Sequence, residues 1–122
     1  MARRARPLRR APRPDRHQAI AFQLAEMATE IAAARALLYR AARAKDAGEP
    51  VTGVAAMAKL TAGWLAVTVA ERAVHIHGGT GWMEESAVAR LYRDAKILEI
   101  GEGTSEVQKM VIAREVVGID GR

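Results

Sequence analysis

The stretch GVAAMAKLTAGWLAVTVAERAVHIHGGTGW, residues 53–82, decides what kind of fold this chain adopts. It reads as one helix over 53–77, with Thr52 placed to cap it and Gly78-Gly79-Thr80-Gly81 placed to stop it. Its apolar residues, Val54, Met57, Trp64, Leu65, Val67, Val69 and Val74, fall on several sides and do not form one stripe. A helix apolar on most sides belongs in the middle of a bundle, where neighbours cover each side.

Upstream, Ile20, Leu24, Met27, Ile31, Ala34 and Leu38 recur every three or four residues, which is one face of a helix. That helix runs to about Ala47, where Gly48-Glu49-Pro50 ends it and turns the chain back. Downstream, Val88, Leu91 and Tyr92 mark a shorter helix over 84–97, and 98–103 reads as a loop. Ser105-Glu106-Val107-Gln108 has the spacing of a capping box and opens a last helix to about Val117, with Gly118 as its stop. No strand pattern and no internal repeat is found. The fold class predicted for 17–118 is therefore all-α, an up-and-down four-helix bundle of two long antiparallel helices and two shorter ones.

Composition agrees. Half of the 122 residues are hydrophobic but only five are aromatic, so alanine and small aliphatics fill the core and helices can pack closely. With no cysteine, a disulfide framework or cysteine metal site is excluded, which fits a reducing compartment, and a cytoplasmic location is expected. No apolar run approaches the roughly 20 residues of a membrane helix, so no membrane span is expected. The net charge of +5 belongs to one end. Residues 1–16 carry seven arginines, one aspartate and Pro7, Pro12 and Pro14, and predict a disordered basic tail. The remaining residues are slightly acidic and the tail has no interleaved aromatics, so nucleic acid is not an expected partner. Residues 119–122 read as a short C-terminal tail.

Two motifs carry chemistry. In His75-Ile76-His77-Gly78-Gly79-Thr80-Gly81-Trp82, three glycines in four residues can bring backbone amides close to a phosphate; they equally suit a helix C-cap and tight turn. His75 and His77 sit two apart with no carboxylate set around them, so no metal site is expected. In Gly101-Glu102-Gly103-Thr104-Ser105-Glu106, Glu102 is an acid between two glycines before a helix. It reads either as a residue that favours the helix N-terminus or as a reactive carboxylate.

These motifs, in order, resemble the acyl-CoA dehydrogenases. That family's signature has a Gln, two residues, Gly-Gly, any residue, Gly, an apolar residue, and then acid, base and acid at fixed offsets. Gly78, Gly79, Gly81, Glu85, Arg90 and Asp94 match it, while His75 stands at the Gln and Trp82 at the usual Phe, Tyr or aliphatic residue. Arg93-Asp94-Ala95-Lys96, the interval from Asp94 to Glu102, Ile112-Ala113-Arg114, His17-Gln18-Ala19-Ile20 and Leu24-Ala25-Glu26-Met27-Ala28 are similar too. The likeness covers about 100 collinear residues.

The resemblance implies the C-terminal helical domain of a flavin enzyme that oxidises an acyl-CoA to its trans-2-enoyl-CoA. Electrons would pass from FAD to an electron-transfer flavoprotein-type acceptor. It implies Glu102 as the base that removes the α-proton, in a dry pocket, and Gly103 as room for the acyl thioester. The thioester oxygen would be met by the base's own N–H and a flavin hydroxyl. It implies flavin contacts at His17, Gln18, His75, Ile76, His77, Gly78, Gly79, Thr104, Ser105 and Glu106, the glycine turn reaching the flavin of a neighbouring subunit in a dimer or tetramer. Tyr precedes the Glu in many relatives, and Gly101 does here. The family's Arg-x-x-Phe-Gly segment, counted back from Gln18, falls on Pro7, Arg10 and Ala11. A truncated or frame-shifted product, inactive alone, is therefore expected. The alternative is a non-catalytic helical oligomerisation or interaction remnant.

Overall fold

A computed structural model describes residues 17–118; the tails at 1–16 and 119–122 lie outside the described residues. Six helices follow one another: α1 (Gln18–Asp46), α2 (Thr52–His77), α3 (Gly79–Trp82), α4 (Ala87–Ala95), α5 (Ile97–Ile100) and α6 (Ser105–Val117). The fold is all-α, and α1, α2, α4 and α6 are the four main helices. Two expected loops contain single helical turns. α3 forms because Gly78, at φ 60°, ends α2 and its carbonyl accepts from the Gly81 N–H. α5 occupies the first part of 98–103, and the shorter helix read over 84–97 is confined to 87–95. Thr52 lies inside α2; the residue before the helix is Val51, which makes no side-chain cap.

α2 is the centre. It packs against α1, α3, α4, α5 and α6. By length and composition it is apolar enough to cross a membrane, which corrects the expectation that no run comes near that threshold. Lys59, Glu71 and Arg72 interrupt it, but alanines and valines keep the average apolar. In this fold other helices cover it only in part: Ala56, Ala58, Gly63 and Leu65 are its buried residues and Trp64 stays more than half exposed, so the expectation that neighbours cover each side is met on some sides only.

The core is built on small residues. The buried apolar residues are Met27, Ala34, Ala41, Ala56, Ala58, Leu65 and Ala95. On α1 the buried positions recur every seven residues and face α2. Ile31 and Leu38, from the same stripe, instead border a groove of about 620 Å³ shared with Leu65, Val69, Val88 and Leu91. Half of the α1 stripe is thus open, because no described element lies on it. Arg72 pairs with Glu30 at 3.1 Å and Glu26 at 3.9 Å, fixing α1 antiparallel to α2.

Where helices come closest, α2 carries glycine. A Cβ on Gly63 would lie 2.6 Å from the Leu98 carbonyl oxygen, and one on Gly53 would lie 3.2 Å from Glu115 Cβ. Helix propensity alone would favour Ala at position 63 by roughly 0.5–1 kcal/mol. Overpacking costs about 1–3 kcal/mol, and a backbone carbonyl cannot swing aside, so the clash wins. Gly63→Ala is expected to lower the urea midpoint. Gly79→Ala, whose Cβ meets nothing within 4 Å, should stay within about 0.5 kcal/mol of the parent.

Candidate functional site

The backbone bends hardest at Glu102. Among the described residues it alone, glycines apart, has a positive φ, 57°. The left-handed region costs an L-residue about 1–2 kcal/mol, so the surroundings must impose it. Three groups do so. Lys59 Nζ, on α2, donates to the carbonyls of Leu98 at 2.9 Å and Gly103 at 2.6 Å. Gln108 Nε2, on α6, donates to the carbonyls of Glu102 at 3.2 Å and Gly103 at 3.3 Å. The Gly101 N–H donates to the Ile97 carbonyl at 2.7 Å. Gly103 is at φ 94°, and a Cβ there would lie 2.6 Å from Gln108 Nε2. Its lack of a side chain therefore makes room for the Gln108 amide as well as for the turn.

Glu102 itself is exposed, and no described residue encloses its carboxylate. It has no cation within ion-pair distance among the described residues. The neighbouring acid is differently placed: Glu99 is half-buried and ion-paired with Lys96, whose ammonium its carboxylate holds above the usual lysine range. Of the two carboxylates in this turn, Glu102 is the free one.

α6 starts beside it. Its cap is Thr104, whose Oγ1 accepts from the Val107 N–H at 3.4 Å. The capping box expected from Ser105 and Gln108 does not form, because Gln108 turns to the Glu102 loop instead. Glu106 accepts from its own backbone N–H and from the Thr104 hydroxyl, which together hold its carboxyl below the usual range. The first turn of α6 thus already holds an anion, leaving Ser105 as the hydroxyl not used in the cap.

The other candidate residues lie elsewhere. His75, His77, Gly78 and Gly79 are exposed at the end of α2, and Ile76 is half-buried. His77 Nδ1 bonds the Ala73 carbonyl at 2.8 Å, which leaves Nε2 as its outward polar atom. A Cβ on Gly78 or Gly79 would meet nothing within 4 Å, so this backbone is open to close approach. His17 and Gln18 begin α1, and since Glu30 pairs with Arg72, they lie toward the same end. Lys59 marks the Glu102 loop and His75 the glycine turn. Sixteen residues of continuous helix at 1.5 Å each put about 24 Å between them. The structure therefore gathers Glu102 to Glu106 in one cluster and His17, Gln18 and His75 to Gly79 in another, and does not bring the two together. Lys59 and Gln108 were not singled out in sequence. The signal for Lys59 is a lone lysine in the most apolar helix, one turn before a glycine.

Among the described residues the chain is all-α, with a left-handed acidic turn before the N-terminus of α6 and a glycine turn at the end of α2. Comparison with known proteins identifies it. The profile of the acyl-CoA dehydrogenase C-terminal domain matches residues 2–117; the chain belongs to the acyl-CoA dehydrogenase family. Over 100 residues, 82% of the chain, it is 52% identical to the probable acyl-CoA dehydrogenase YngJ of Bacillus subtilis and spans 26% of that protein. It superposes on butyryl-CoA dehydrogenase from Megasphaera elsdenii with a TM-score of 0.85 and 45% identity, over 90% of this chain and 29% of the other. PigA, solved as an FAD complex, is similar at TM-score 0.81 and 28% identity over 88% of this chain and 28% of its own. The chain thus spans about a quarter of the length of the curated relatives it matches.

The Thr104 cap should be measurable. Thr104→Ala is expected to cost about 1 kcal/mol in urea unfolding at neutral pH, and to return the Glu106 titration, followed by NMR, towards the ordinary glutamate value. A depressed carboxyl stabilises the fold above its unfolded value, and that stability is lost as pH falls through the folded value. The variant should therefore lose less stability than the parent between neutral and acid pH.

Proposed function

We propose that this chain is the C-terminal domain of an FAD-dependent acyl-CoA dehydrogenase in which Glu102 removes the α-proton of an acyl-CoA. The observation that carries the reading is the φ of 57° at Glu102. Backbone strain held at one acidic residue is what a positioned base requires and a solvated surface acid does not. Glu102 takes the α-proton as a carboxylate, while its backbone N–H is available to the thioester oxygen as negative charge develops there. Gly103 keeps the approach to that N–H free of a side chain. FAD, when bound, supplies the acceptor for the β-hydride. The product is the trans-2-enoyl-CoA, and electrons leave to an electron-transfer flavoprotein-type acceptor. A cytoplasmic location goes with this reading.

The separation of the two clusters supports an oligomeric site. The glycine turn, with His17, Gln18, His75, Ile76 and His77, serves the adenosine end of a cofactor held by a neighbouring copy, and Thr104, Ser105 and Glu106 face a cofactor beside Glu102. Association is also favoured by surface: Leu38 and Leu91, both more than half exposed, share an apolar groove with Ile31, Val69 and Val88, and apolar surface of this kind seeks a partner. The chain is expected to form dimers or larger species in light scattering, and a monomer across a wide concentration range would contradict this.

The carboxylate of Glu102 is not enclosed by the described residues, so the isolated domain is expected to bind FAD weakly or not at all and to reduce no dye with acyl-CoA. In a full-length enzyme carrying this domain, Glu102→Gln keeps shape but is no base. It should lower turnover by several orders of magnitude while acyl-CoA binding persists. Near-normal turnover in that variant would move the base elsewhere, and failure of every acyl-CoA to react in the parent would favour a helical interaction module.

A further inference from the structure

We infer that Lys59 is a positioning residue whose ammonium clamps the Glu102 loop onto α2 and holds Glu102 in its left-handed backbone conformation. This rests on Glu102 being the base, in that the loop's geometry matters to chemistry only then.

Lys59 stands in the most apolar helix of the chain, half-buried, with no carboxylate in ion-pair distance among the described residues. A lysine placed so must spend its donors on something. It spends them on the carbonyls of Leu98 and Gly103, at 2.9 and 2.6 Å. These two residues bracket the strained turn: Leu98 lies four residues before Glu102 and Gly103 lies directly after it. The contact therefore closes the loop as a staple does. A hydrogen bond from a charged donor is about twice as strong as a neutral one, which suits a contact set against backbone strain.

Gly63, one helical turn further along, makes the contact possible. Its missing side chain lets the Leu98 carbonyl approach α2 to a point where a Cβ would be 2.6 Å away. Lys59 and Gly63 thus act on the same carbonyl, one by attraction and one by absence. Gln108 holds the opposite side of the turn, through the Glu102 and Gly103 carbonyls. The Gly103 carbonyl receives both donors, so α2 and α6 grip the loop at one oxygen. Glu102's own carboxylate takes no part in the grip, and is left free for a substrate.

The absence of cysteine from the chain gives a clean test on the full 122-residue protein. Lys59→Cys creates a single thiol, and alkylation with 2-bromoethylamine returns an ammonium at nearly the same reach. Two NMR readouts report the loop: the backbone coupling that marks positive φ at Glu102, and exchange of the Gly101 amide, which is bonded to the Ile97 carbonyl. Lys59→Cys is expected to remove the positive-φ coupling and to speed Gly101 exchange at least tenfold. Amides in the α1–α2 contact should stay as protected as in the parent, and aminoethylation should restore both loop signals. Lys59→Met, which keeps the stem without the charge, should behave as the unalkylated variant.

An unchanged loop in either unalkylated variant overturns the inference. So does a loss that aminoethylation fails to restore, or a loosening of α1–α2 equal to that of the loop. Glu102→Gln in the same background should leave the loop signals in place. The clamp is thereby read independently of proton abstraction: if Glu102 proves not to be the base, the clamp stands as measured, and if the clamp fails, the assignment of the base is untouched.

Discussion

Among the described residues, every other helix is held by α2. α1 crosses it through Arg72 and its two glutamates, α6 lies along its first half at Gly53, and α4 and α5 cover its middle. Such crowding is possible because α2 is thin: Ala56, Ala58 and Gly63 are its buried small residues, with Leu65 the one large side chain buried beside them. Small side chains let backbones meet, and the contact of α2 with the Leu98 carbonyl is a backbone contact. What thinness gives in closeness it withholds in hydrophobic stabilisation, since an alanine buries little apolar area compared with the roughly 1.5–3 kcal/mol of a fully buried leucine or valine. The groove along Ile31, Leu38 and Leu91 is the consequence, a core finished only on one side.

That closeness shapes the Glu102 turn. Glu102 sits on left-handed backbone where two helices supply donors to the carbonyls around it, and Gly103 leaves space for the Gln108 amide. The cap of α6 follows from the same competition. Gln108 is drawn to the loop, so it cannot complete a capping box, and Thr104 caps the helix alone. Glu106 then settles on its own amide with the Thr104 hydroxyl beside it. One short segment thus reconciles a helix start, a tight turn and a free carboxylate.

Belonging to the acyl-CoA dehydrogenase family gives the two distant clusters a common sense. A glycine turn at one end of α2 and an acid beside its middle cannot face one another across an unbroken helix. Under the proposed function they are complementary between neighbouring copies of the domain, which the open apolar flank of α1 and α2 favours.

Much of this was legible in the sequence. The period of Ile20 to Leu38, the spread of apolar residues over 53–77 and the stops at Gly48, Gly78 and Gly118 determined the helices, because periodicity and chain-breaking glycines are local properties. The offsets from Gly78 to Glu102 determined the family. Sequence could not show that Ser105 would yield the cap to Thr104, that Ile31 and Leu38 would lie open, or that Lys59 would reach a loop some forty residues away. Nor could it show that Glu102 would be pressed into the left-handed region. Those outcomes depend on which carbonyls and side chains arrive at the surface of α2, and a hydrogen bond between distant residues exists only once the tertiary structure has brought donor and acceptor within 3 Å or so.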